Sequence, residues 1–89
     1  MEPQFKLTIR EMDETEPGMY EGGKLKAILQ VSHSELETEP LLQIMVKEGL
    51  LTEGLVPHVD VYDFGPYFTV VFKGTKEVLY QISVEEILT

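Results

Sequence analysis

The chain has 89 residues, with 16 Asp and Glu against 7 Lys and Arg, a formal net charge of -9, and neither Cys nor Trp. That length suits one domain, residues 1–89, which on folding buries roughly 60% of the surface an unfolded chain exposes. The charge opposes direct binding to nucleic acid or an anionic membrane, both of which need a basic face, and without Cys there are no disulfides, thiolate catalysis or zinc–thiolate sites.

Phe5, Leu7 and Ile9 alternate with Lys6, Thr8 and Arg10, the pattern of a strand with one wet face. Residues 11–23 read by composition as an acidic loop, with Pro17-Gly18 and Gly22-Gly23 as turn signals. Lys24 to Val31 resumes the alternation, with Leu25, Ala27, Leu29 and Val31 inward, so the two strands form a hairpin. Ser32 with Glu35 and Ser34 with Glu37 fit capping boxes. The main helix is expected to be capped at Thr38 or Glu39, with Pro40 in its first turn, an apolar face from Leu41 to Val46, and Gly49 as a left-handed stop before Leu50.

Pro57 suits the start of an edge strand, Val59 to Tyr62, in which Val59 and Val61 alternate with polar neighbours. Tyr67 to Phe72 is β-branched and aromatic throughout, Gly74-Thr75 reads as a two-residue turn, and Glu77 to Ser83 returns as the last strand. Ser83 with Glu86 predicts a short helical turn over 84–88. The order is ββαβββ: an α+β antiparallel meander with one main helix on the sheet.

With the turn at Gly74-Thr75, Val71 faces Val78 and Val70 faces Leu79, although a slip by one pair relieves Lys73 opposite Lys76. One face then carries Phe68, Val70, Phe72 and Leu79, and the other carries Tyr67, Val71, Val78, Tyr80 and Ile82. A helix of about three turns covers one face only. The second needs closure into a barrel, a second copy as a homodimer, or a bound protein. The expected contact residues are Tyr67, Val71, Val78, Tyr80 and Ile82 on that face and Val59 and Tyr62 at the edge.

Glu11, Asp13, Glu14, Glu16 and Glu21 form an acidic patch suited to steering toward a basic protein surface, with carboxylates standing in for nucleic-acid phosphates. A solvated loop accounts for the same pattern. His58 and Asp60 share a strand face but have no further His or Cys at ligand spacing, so no metal is expected. Ser32, His33 and Ser34 are adjacent and point apart, which no serine–histidine relay tolerates. No cofactor motif is present, and no glycine-rich loop precedes a helix.

The expected function is therefore non-catalytic: a small acidic cytoplasmic protein that binds another protein and regulates or inhibits it. The alternatives are a subunit of a homo-oligomeric assembly, such as a phage or mobile-element particle, and a metal-dependent enzyme built on His58 and Asp60. The cytoplasmic expectation rests on the absence of Cys, on a start, Met1-Glu2-Pro3-Gln4, unlike a leader peptide, and on apolar runs far shorter than the roughly 20 residues of a membrane helix.

Overall fold

β1 (Gln4–Glu16) and β2 (Met19–Ser32) form one long antiparallel ribbon in the computed structural model, which describes residues 3–17 and 19–87. β1 also pairs with β5 (Val78–Ile87), β5 with β4 (Tyr67–Phe72), and β4 with β3 (Val59–Asp63), giving an open antiparallel sheet in the order β2-β1-β5-β4-β3. The sheet does not close into a barrel; β2 and β3 are its edges.

The chain crosses from one edge to the other through a 3-10 segment (His33–Leu36), helix α1 (Thr38–Lys47) and a second 3-10 segment (Glu53–His58). The Ser32 N–H and hydroxyl both donate to the Glu35 carboxylate, at 2.9 and 3.0 Å. These two bonds, the backbone one foremost, hold that carboxyl below its usual range. Glu37 precedes α1, one residue before the expected cap, and Pro40 sits in the first turn, where its missing N–H costs nothing. Gly49 adopts φ 78°, its N–H reaching Val46 O at 3.0 Å while Leu50 N–H reaches Met45 O at 2.9 Å. Both bonds of a Schellman stop are thus present, as Gly49-Leu50 predicts.

Leu41, Leu42 and Met45 of α1 pack with Leu7, Ile9, Val31, Val59, Phe68, Val70 and Ile82 in the core, all on one side of the sheet. The Tyr80 hydroxyl donates to Leu50 O at 2.8 Å, tying β5 to the turn after the helix. Burial first, and the Glu11 carboxylate second, push the Tyr80 phenol above its usual range.

Several expectations are corrected. The acidic stretch 11–23 is not a loop: it is the outer half of the ribbon, paired as Met12 with Gly22, Asp13 with Glu21 and Glu14 with Tyr20. Backbone pairing continues there because it needs no apolar side chains. Gly22-Gly23 is absorbed into the ladder at a register shift instead of turning the chain. A Cβ on Gly23 would lie 2.5 Å from Glu11 O, so only glycine permits this approach. A second register shift leaves Lys26 unopposed between the Ile9–Ala27 and Arg10–Leu25 pairs. Leu25 is consequently 42% exposed and does not face inward.

The C-terminal helical turn is also absent over the described residues. Val84 to Ile87 continue β5, paired with Leu7 to Gln4, because β1 offers a ladder that outweighs a local capping signal; Leu88 lies outside the described residues. The β4–β5 turn spans residues 73–76, closed by Phe72 N–H to Glu77 O at 3.0 Å, with Lys76 at φ 63°.

Pairing then runs one step slipped, Phe68 with Ile82 and Val70 with Tyr80, with a bulge before Val71 and Val78. The bulge turns Tyr80 and Ile82 to the helix side, where Ile82 is fully buried, and so removes both from the second face. Val59, expected at an accessible edge, is 2% exposed in the same core because it lies opposite Phe72 on the helix side.

Candidate binding surface

The face of the sheet away from α1 is polar along its middle, where Thr8 lies opposite Ser83 and Gln81 lies between Arg10 and Thr69. Its β3–β4 end is different. Tyr62, Phe64, Tyr67, Thr69, Val71, Val78 and Gln81, with Lys76 and Met12, line a shallow groove of about 390 Å³. Val71 is only 3% exposed at its floor.

The β3–β4 turn sets the aromatic wall. Gly65 takes φ 90° and donates to Asp63 Oδ1 at 2.8 Å, while Phe64 N–H donates to Tyr67 O at 3.0 Å. These bonds hold Phe64 against Tyr67, rings stacked at 5.3 Å and 24°, with Tyr62 edge-on at 6.5 Å. Phe64 is nevertheless 53% exposed. At the other end the Lys76 ammonium donates to the Tyr62 hydroxyl at 3.1 Å and lies 5.9 Å from its ring centre. The turn and these ring contacts set the positions of the three aromatic side chains.

Four of the seven expected contact residues, Tyr62, Tyr67, Val71 and Val78, come together in this groove; Val59, Tyr80 and Ile82 belong to the core. Phe64, Thr69, Gln81, Lys76 and Met12 complete the lining beyond the seven residues expected at the contact. The spacing of Tyr62 and Phe64, two apart on an alternating strand, was the available signal for Phe64. Met12 enters only because the ribbon lies beside β5, which no local pattern reveals.

The acidic patch is spread along the ribbon, not gathered at the groove. Glu11 makes an ion pair with Lys26 at 3.1 Å, and Asp13 sits directly opposite Glu21. Asp13, Glu14, Glu16 and Glu21 are exposed. Met12, between Glu11 and Asp13, is the point where ribbon and groove meet.

His58 ends the second 3-10 segment and Asp60 follows on β3; among the described residues no three His, Cys, Asp or Glu side chains converge on a metal-sized space. No helix among them is long and apolar enough to cross a membrane. No protein-family model, curated protein or solved structure matches the chain.

Proposed function

We propose that this protein is a cytoplasmic, non-catalytic regulator or inhibitor that binds another protein by seating an apolar, basic segment of it in the groove walled by Tyr62, Phe64 and Tyr67. The observation that carries the reading is Phe64, a large apolar ring left 53% exposed yet locked by stacking and by the turn beneath it. A rigid aromatic loses little freedom on binding, which is why such side chains anchor interfaces. Val71 and Val78 supply an apolar floor, and Thr69 and Gln81 supply hydrogen-bonding groups.

The basic character of the partner follows from charge. The chain carries -9 overall, with exposed carboxylates along the adjoining ribbon and Asp60 beside Val71 on the neighbouring strand. Such a field accelerates encounters with a positive surface. Surfaces of that kind also hold nucleic acid, and the ribbon competes for them through charge.

Titration with a peptide of alternating Lys and Leu tests the reading. Phe64→Ala should weaken binding by about tenfold or more, the range of an anchor residue, and Ile28→Ala, at the opposite edge of the sheet, should leave it unchanged. Equal affinity for the wild type and Phe64→Ala would sink the proposal. A building block of a homo-oligomeric particle is the second reading, favoured by the open edge of β2. Light scattering separates the two, since a building block forms assemblies larger than a dimer.

A further inference from the structure

The two edges of the sheet are built differently. β3 has five residues, includes Asp60 and Asp63, and is bracketed by Pro57 and Pro66. Short length, charge and proline keep an edge from pairing. β2 has fourteen residues, and its stretch from Ala27 to Ser32 contains no charge, Pro or Gly. It is paired with β1 alone.

The backbone directions along β2 are fixed by two bonds. Ser32 N–H is held by the Glu35 carboxylate at 2.9 Å, whereas the next N–H, that of His33, reaches Pro3 O at 3.1 Å. Alternate residues of an antiparallel strand send N–H and C=O to opposite sides. Val31, Leu29 and Ala27 therefore turn theirs toward β1, and Gln30 and Ile28 turn theirs to the open edge. The Ile28 side chain is itself 55% exposed.

We propose that the β2 edges of two copies of this chain pair antiparallel about a two-fold axis at Leu29, joining two five-stranded sheets into one. Ile28 then lies opposite Gln30 of the second copy, twice over. Each such pair exchanges two hydrogen bonds, so every outward N–H and C=O between Ala27 and Val31 is satisfied. A shift of one residue would set core-side positions against outer-face positions. A shift of two toward the C-terminus would oppose Ile28 with Ser32, whose N–H Glu35 already holds. A shift of two the other way runs into the irregularity at Lys26. One register remains.

Charge permits this contact despite the net -9 of each copy. Beyond the paired stretch, Lys24 of each copy runs toward the 3-10 segment of the other, which contains Glu35 and is followed by Glu37. The acidic ribbon tips, some twelve residues from the axis, extend roughly 40 Å from it in opposite directions. Pairing consumes the uncharged stretch of both β2 edges and leaves the acidic outer ribbon and the guarded β3 edges, so the assembly closes at two copies. The groove, at the β3–β4 end of each sheet, stays open, and the dimer does not depend on it.

Light scattering should give the purified chain twice its monomer mass. Ile28→Lys with Gln30→Lys, at two exposed positions, sets Lys opposite Lys and should halve that mass without changing the circular dichroism. Leu29→Cys introduces the sole thiol, and on oxidation should cross-link faster than Leu25→Cys, although Leu25 is the more exposed. Residues opposed in a non-hydrogen-bonded pair have Cα atoms about 4.5 Å apart, inside the disulfide range. A wild-type monomer, a dimer that survives the double Lys substitution, a larger particle, or cross-linking no faster at Leu29→Cys than at Leu25→Cys would each overturn the proposal. Phe64→Ala should keep the dimer mass, so failure of the groove reading is told apart from failure of this one.

Discussion

Tyr80 joins three parts of the molecule: its ring packs against the core from β5, its hydroxyl holds Leu50 O at 2.8 Å after α1, and Glu11 of β1 lies opposite it. Tyr80→Phe removes the bond and leaves a half-buried carbonyl short of a partner, an expected loss of about 1 kcal/mol at neutral pH. In a domain of this size that lowers the melting temperature by roughly 4–8 °C. The raised phenol ionisation adds a pH signature. Because the folded state keeps the proton that the unfolded chain releases near pH 10, this contribution is complete below that value and is lost as pH rises through the higher folded value. Denaturation of wild type and Tyr80→Phe in parallel should show their stability difference shrinking above about pH 10. A gap that stays constant there would mean that the phenol ionises equally in both states.

At the scale of elements, what the sequence discloses divides by the range of the signal. Helix α1 is legible because Pro40, the Leu41–Val46 face and Gly49-Leu50 are local instructions within one turn of where they act. The five strands are legible as elements for the same reason. The outer ribbon is not: its carboxylates and glycines carry a loop composition, while the ladder that forms there is made by backbone groups indifferent to side chains. The end of β5 is hidden because its partner, β1, lies at the opposite end of the chain. The bulge near Leu79 is likewise set by the core, which takes Ile82 and Tyr80 and so leaves Tyr67, Val71 and Val78 to form the groove with Phe64. Gly23 tests this account of the ribbon. A methyl group there meets Glu11 O at 2.5 Å and Asp13 Oδ2 at 2.7 Å, and the first contact is backbone. Gly23→Ala should loosen the ribbon by about 1–3 kcal/mol, the usual range for overpacking. Amide hydrogen exchange should accelerate across residues 12–22 while the core strands keep their protection. Unchanged exchange in the ribbon would show that the backbones can separate at no cost.

The whole molecule measures 43 × 26 × 21 Å and carries -9, so ionic strength acts on its two proposed contacts with opposite sign. At 0.15 M salt the screening length is about 8 Å, well under the width of the body, and each copy is nearly blind to the charge of the other. At 0.01 M it is about 30 Å, beyond that width, and the full charges repel. The β2 dimer should therefore weaken as salt is lowered, even though Lys24 and Glu37 attract locally, because the long-range repulsion involves every carboxylate on both copies. A basic peptide feels the same field as attraction, so its association rate at the groove should rise over the same interval. Charge reversal at Asp13, Glu14 and Glu16 adds two charges at each of three positions, moving the chain from -9 to -3. It should flatten both salt dependences while the fold persists. Stopped-flow association and light scattering at the two salt concentrations measure the pair together. An association rate unaffected by the reversal would remove the ribbon from partner capture. A dimer that tightens at low salt would mean that local pairs, not net charge, govern the edge.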